Sequence, residues 1–246
     1  MPEDKLAVLI DADNVPYANV KEMLEEIAKN GTPTIKRIYA DWTKPNLNGW
    51  KNVLLENAIT PIQQYSYTTG KNSSDSALII DAMDILYSGK VNGFCIVSSD
   101  SDFTRLATRL REAGMIVLGF GEKKTPKPFI AACNKFIYVE ILKASKEDSI
   151  KITHSTKKAA KAEPISKVDK ETIRIITESV NDLADETGWT HLGNLGNYIL
   201  KMKPDFDPRN YGFPKLYPLI KYIDLFELDE RVAGLNNIKH IYLRVR

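Results

Sequence analysis

The chain has 246 residues, enough for two domains that each bury their own core. Hydrophobic residues make up 43% and charged residues 27%, the balance of a soluble globular protein, and a net charge of +2 excludes a wholesale polycation. No apolar run approaches the roughly 20 residues that a membrane helix needs, and Met1-Pro2-Glu3-Asp4-Lys5 lacks the start of a signal peptide.

Residues 1 to 142 alternate strand and helix patterns. Lys5 to Asp11 reads as a strand, and Pro16 to Asn30 as a helix that stops at Gly31. Thr34 to Asp41 is a β-rich run, Leu47 to Asn57 a short helix and Thr60 to Tyr67 a strand. Ser73 to Tyr87 has helical spacing, with Ser73 or Ser74 as its cap. Asn92 to Ser99 is a near-continuous apolar strand, as a sheet covered on both faces requires. Asp102 to Ala113 reads as a helix ended by Gly114, Met115 to Phe120 as a strand, and Phe136 to Val139 as a last edge strand. Repeated βα units imply a doubly wound, mostly parallel α/β sheet.

From 143 to 167 the pattern dissolves into a Lys-, Ala- and Ser-rich stretch with Pro164 near its end, which reads as a flexible basic linker. Residues 168 to 246 change character. Helical runs at Ile173 to Glu186, Leu192 to Met202 and Pro214 to Ile223 precede short strands near Phe226 to Leu228 and Ile241 to Val245. Three helices and a small hairpin make the pattern of a winged helix-turn-helix. Of the two cysteines, Cys95 and Cys133, the first falls inside a central strand. Buried free thiols, and hence a reducing cytoplasm, are expected.

The chemistry lies in three acidic stretches. Leu9-Ile10-Asp11-Ala12-Asp13-Asn14 and Ile96-Val97-Ser98-Ser99-Asp100-Ser101-Asp102-Phe103 each begin as an apolar strand and break into carboxylates. The third, Gly70-Lys71-Asn72-Ser73-Ser74-Asp75, opens a helix. Ligands of parallel sheets bind beyond the carboxyl ends of the strands. Acids brought there from separate strands repel one another unless a divalent cation sits between them. Asp11, Asp75, Asp100 and Asp102 are therefore the expected ligands of Mg²⁺ or Mn²⁺, which would activate water and stabilise charge on a phosphate. Any one of them taken alone reads equally well as an ordinary cap. Asp13, Asn14, Ser98 and Ser99 are placed to orient these carboxylates or their waters, and Lys71 to meet the phosphate as a point charge. Asp81 is six residues beyond Asp75, hence roughly 240° round the helix, so Asp81 and Asp84 read as structural or solvated. The chain holds no histidine before His154, which disfavours a histidine acid/base pair or a Cys/His zinc site in this region.

Residues 5 to 140, through Ile10-Asp11-Ala12-Asp13-Asn14, the Lys71 to Asp75 stretch leading into Ile80-Asp81-Ala82-Met83, and above all Val97-Ser98-Ser99-Asp100-Ser101-Asp102-Phe103, resemble the NYN domain of the PIN-like nuclease superfamily. The resemblance implies a PIN-like α/β/α sandwich and metal-dependent RNA cleavage. It puts the metal-binding acids at Asp11, Asp75, Asp100 and Asp102, and the family's asparagine at Asn14. Residues 168 to 246 resemble the OST-HTH, or LOTUS, module. The carrying segments are Gly188-Trp189-Thr190-His191-Leu192-Gly193-Asn194-Leu195-Gly196, Pro204-Asp205-Phe206-Asp207-Pro208-Arg209 and Tyr211-Gly212-Phe213-Pro214-Lys215-Leu216. That likeness implies an RNA-binding or protein-docking adaptor. Trp189, Leu192, Leu195, Phe206 and Leu216 read as core. Arg209, Tyr211, Lys215 and Lys221 are the candidates for phosphate and base contacts.

The leading expectation is thus a ribonuclease whose second domain holds RNA or a protein partner, with a second copy able to complete a groove along the nucleic acid. A non-catalytic RNA-binding adaptor, its acids holding a structural cation, is the alternative from another class. A phosphatase of the haloacid-dehalogenase type is a third, because Asp11-Ala12-Asp13 has that family's Asp-x-Asp spacing, with Asp11 as nucleophile and Asp13 as acid. Its later Ser/Thr strand and lysine find no convincing place in the chain.

Overall fold

The computed structural model describes residues 4–65, 73–142, 166–233 and 238–246. The chain divides into two compact units, Met1–Thr156 and Lys157–Arg246. The linker expected at 143–167 lies outside the described residues except for its last two.

In the first unit, β1 (Lys5–Asp11), β2 (Thr32–Ala40), β3 (Thr60–Gln63), β4 (Gly93–Val97), β5 (Ile116–Gly121) and β6 (Lys135–Tyr138) form one six-stranded sheet in the order β3-β2-β1-β4-β5-β6. Every neighbouring pair is parallel. The strands alternate with α1 (Val20–Ala28), α2 (Trp50–Glu56), α3 (Ser73–Ser88), α4 (Thr104–Glu112) and α5 (Lys127–Ala132). The parallel α/β sheet expected from the βα alternation, and the sandwich that the family resemblance implies, are the fold of this unit.

Both sheet faces are dry, which is why the central strands are apolar at every position. On one face Ala7, Leu9, Phe94, Ile96 and Val117 pack with Leu78, Ala82 and Ile85 of α3, Leu106 and Leu110 of α4, and Phe129 of α5. On the other, Leu6, Val8, Ile10, Ile38, Cys95, Val97 and Phe120 are fully buried. Cys95 and Cys133 are free and buried as expected, and burial pushes the Cys133 thiol up to about 12. Pro61 sits in β3, an edge strand, where a missing N–H breaks no central ladder.

Several boundaries differ from the sequence reading for local reasons. The helix expected from Pro16 becomes a 3₁₀ turn at Tyr17–Asn19 before α1, and that expected from Asp102 becomes a 3₁₀ turn at Ser101–Phe103 before α4. The six residues of α5 are too few to show a helical period and were not anticipated. The strand expected to reach Tyr67 ends at Gln63, with 66–72 outside the described residues.

The second unit contains α6 (Lys170–Asp182), α7 (Leu192–Met202) and α8 (Leu216–Ile223) with β7 (Thr190–His191), β8 (Phe226–Ala233) and β9 (Ile238–Val245). The strands form an antiparallel sheet in the order β7-β9-β8. Its core gathers Ile176, Val180, Leu195, Ile199, Phe206, Tyr211, Leu219, Phe226 and Leu243, with Leu192 and Leu216 packed against it. Trp189 is not in that core. Thr190 takes the inward position at the start of β7, 1% exposed and opposite Leu243, so the tryptophan before it turns to the outer side of the sheet.

Gly119 is required by close packing. A Cβ there would lie 2.5 Å from the Phe136 ring and 2.7 Å from the Cys133 sulfur. Gly119→Ala is therefore expected to destabilise the first unit by about 1–3 kcal/mol, the cost of overpacking a core. Urea unfolding followed by far-UV circular dichroism measures it.

Candidate functional site

The sheet order reverses between β1 and β4. From β1 the chain moves outward to β2 and β3, then returns to β4 on the other side. The carboxyl ends of these two neighbours are the topological switch point, where α/β sheets open a crevice for ligands. Both strands end there in the same way. Asp11 closes β1, and its Oδ1 accepts the Asp13 N–H at 3.2 Å, which opens a 3₁₀ turn at Ala12–Asn14. Asp100 follows β4, and its Oδ1 accepts the Asp102 N–H at 2.9 Å, which opens the turn at Ser101–Phe103. Each aspartate is a cap, and the caps lie at adjacent strand ends.

Ser98 joins the two. Its hydroxyl donates to Asp11 Oδ2 at 2.9 Å and accepts the Asp100 N–H at 3.1 Å. Ser99 turns toward β5 instead, and its Oγ accepts the Glu122 N–H at 2.9 Å. The third contribution comes from α3, whose first turn carries Asp75. One carboxylate oxygen each from Asp75, Asp100 and Asp102 lies within 4.8 Å of the others. Asp11 is 1% exposed. Burial first, then the charges of Asp11, Asp100, Asp102 and Asp13, push the Asp75 carboxyl up to about 6. The strain that the sequence foretold is thus electrostatic, and it falls on Asp75.

Of the expected site residues, the structure brings Asp75, Asp100 and Asp102 together, and Ser98 links Asp11 to the backbone of Asp100. Asp13 is exposed at the same strand end. The Asn14 side chain and the whole of Lys71 lie outside the described residues. Asp81, read as structural or solvated, is structural: Arg37 and Tyr39 of β2 both donate to its carboxylate, which fixes α3 against the sheet. The Arg37 guanidinium is correspondingly held above its ordinary range by this bond, and burial and Asp81 push the Tyr39 phenol up. Sequence pattern gave no sign of this clamp, because its three residues are ordinary strand and helix positions until the register is known.

A donor set of carboxylates alone suits a hard divalent cation. Such an ion would relieve the repulsion that raises Asp75, so the residues present fit it.

In the second unit the candidate contacts part company. Tyr211 is a correction: it is 8% exposed, its ring is 6.0 Å from Phe206 and its hydroxyl 3.1 Å from that of Thr172. The turn at Pro208–Tyr211 drops it into the core, where it cannot meet a base. Arg209 is bound to Asp207 through Nε at 3.0 Å and Nη2 at 2.6 Å. Lys215 and Lys221 are exposed.

A model of the NYN domain matches residues 5–142, and a model of the OST-HTH/LOTUS domain matches residues 163–238. No curated protein matches the chain. Among solved structures, an uncharacterized protein of Nitrosomonas europaea is 36% identical over 38% of this chain and 89% of its own, with a TM-score of 0.31. A protein of unknown function from Vibrio parahaemolyticus is 20% identical over 55% of this chain and 91% of its own, at 0.45. A protein from Chromobacterium violaceum is 32% identical over 30% of this chain and 77% of its own, at 0.26.

Asp75 supplies a signed pH dependence. Its carboxyl rises from an ordinary 3.8 to about 6, so folding favours its protonated form. That contribution is complete below 3.8 and is lost as pH climbs through about 6. Without divalent cations, Asp75→Asn is expected to melt at a higher temperature than the parent protein at pH 7.5, the gap closing at acid pH. Calorimetry in a chelating buffer checks the sign.

Proposed function

The chain belongs to the NYN family, and from that membership we propose that it is a divalent-metal-dependent ribonuclease. The reading is carried by one observation: three carboxylates from two separate segments converge within 4.8 Å at the switch point of the sheet. Asp75, Asp100 and Asp102 would hold the cation, Mg²⁺ or Mn²⁺. When bound, the ion lowers the pKa of a coordinated water and neutralises charge building on the scissile phosphate.

The chain's own residues do the rest. Asp11 is held by Ser98 and by the Asp13 N–H, so its carboxyl is buried and oriented. Ser98 couples it to the backbone of Asp100, fixing the relative position of the two strand ends. No histidine stands among the described residues of this unit, so none of them offers an imidazole to activate the water. A bare carboxylate trio repels a phosphodiester, so substrate binding at the crevice depends on the cation. The second unit, an OST-HTH/LOTUS domain, would hold the RNA. The tether between the units would then raise the strand's effective concentration at the acids.

The phosphatase alternative is weakened by the same geometry. A nucleophilic Asp11 would need an open oxygen, yet it is 1% exposed with both oxygens in hydrogen bonds.

Full-length protein with Mn²⁺ and end-labelled single-stranded RNA is expected to yield products that disappear with chelator. Ser98→Ala is expected to slow cleavage by about 10–100-fold, the usual cost of removing a group that orients a metal ligand. Asp100→Asn should cost at least as much. Retained RNA binding without products under Mg²⁺ or Mn²⁺ would instead mark a non-catalytic adaptor.

A further inference from the structure

The outer face of the β7-β9-β8 sheet carries a stack of aromatic rings and guanidinium groups that neither core uses. Cross-strand register places Arg231 opposite His240, and Tyr242 between Asp229 and His191. Glu227 faces Arg244. These residues share one side of the sheet, because the alternate positions Phe226, Leu228, Leu243 and Val245 turn inward to the core. On the outer side the Arg231 guanidinium lies 4.3 Å from the centre of the Tyr242 ring and 5.2 Å from that of Trp189. Arg244 lies 4.8 Å from the same tryptophan ring. His191 and His240 continue the surface, their ring nitrogens 3.3 Å apart.

Two features make this more than a solvated strand face. First, the stack is fixed. The Trp189 N–H donates to Asp185 Oδ1 at 3.0 Å and its carbonyl accepts the Asp185 N–H at 2.9 Å, so the loop holds the ring in place. Arg231 is also anchored to Asp229 at 2.7 Å, and Arg244 to Glu227 at 2.6 Å. Second, it is open: the two arginine side chains remain 41% and 44% exposed. Guanidinium groups laid on rings keep one plane and several N–H edges for a partner, and they are ordered before it arrives.

The geometry points to this face as the single-stranded RNA site of the second unit, with Arg231 and Arg244 as its centre; the inference rests on the reading that this unit holds RNA. Unpaired bases stack on guanidinium planes and aromatic rings, while phosphates accept from the N–H edges. Half-exposed salt bridges to Asp229 and Glu227 are weak enough to exchange for a phosphate oxygen. An acidic peptide would offer only the carboxylates that the sheet already supplies to itself. Flat bases use what those carboxylates leave over.

The test measures binding of a dozen-nucleotide single-stranded RNA to the full-length protein across a salt series. Chelator is present throughout, so that the acid crevice neither cuts nor attracts the strand. Arg231→Ala and Arg244→Ala are each expected to weaken binding about ten-fold and to reduce the slope of log affinity against log salt by about one. Arg231→Lys should restore the slope but not the affinity, because an ammonium does not lie flat on a ring. A duplex of the same sequence, its bases turned inward, should bind more weakly. A double arginine variant with an unchanged melting temperature and parental affinity overturns the assignment, as does equal binding of the duplex. If the parent protein binds no RNA under these conditions, the RNA-holding role of the second unit fails and this site fails with it.

Discussion

Carboxylates that meet at the ends of neighbouring strands must be oriented and must be tolerated, and the chain meets these two demands differently. Orientation is local. Asp11 and Asp100 each accept the N–H two residues further on, and Ser98 links one carboxylate to the backbone of the other. Tolerance is incomplete among the described residues. The remaining repulsion is expressed at Asp75, whose carboxyl is driven up to about 6 by burial and by four other aspartates. A crevice lined by carboxylates suits a divalent cation.

The surrounding architecture keeps the arrangement from relaxing. Separated strand ends would relieve the repulsion, but β1 and β4 are neighbours in a sheet buried on both faces and pair from Leu6–Gly93 to Ile10–Val97. Rotation of α3 would carry Asp75 away, but Arg37 and Tyr39 hold Asp81 two turns further along the same helix. Ser99 ties the end of β4 to Glu122 beyond β5. Core packing and peripheral hydrogen bonds therefore pin the acids from three directions, and the mutual repulsion is stored as perturbed protonation.

Much of this was legible in the sequence because it is written in strictly local patterns. Apolar runs that break into Asp-x-Asp mark strand ends, and βα alternation implies which ends share a rim. The first unit's fold and the siting of Asp11 and Asp100 at neighbouring strand ends followed from those two regularities, whereas Asp75 comes from the first turn of a helix. What the sequence concealed depended on register or on sidedness. Asp11 reads like the other acids, but the Ser98 hydroxyl that orients its carboxyl is recognisable only once β1 and β4 are paired. Tyr211 has the composition of a contact residue, but a 3₁₀ turn opened by Asp207 sends its ring inward. Trp189 has the composition of a core residue, but the inward place belongs to Thr190. In a short strand of two residues no alternation is long enough to reveal which side is which.

The chemistry of the two units is opposite in sign, and this bears on how one chain would handle a polyanion. The crevice of the first unit repels phosphate unless a cation is present, so it can contribute little affinity of its own. The second unit has no comparable acid cluster among its described residues, and its sheet presents guanidinium groups already flattened on rings. On the proposed reading, affinity arises in one unit and bond cleavage in the other. Salt should then act mainly on the first of these steps by competing with phosphate contacts, whereas chelation should act mainly on the second. Each unit has its own hydrophobic core, which makes that separation physically reasonable. A strand held by the second unit would remain bound when the cation leaves, and it would be ready for cleavage when the cation returns.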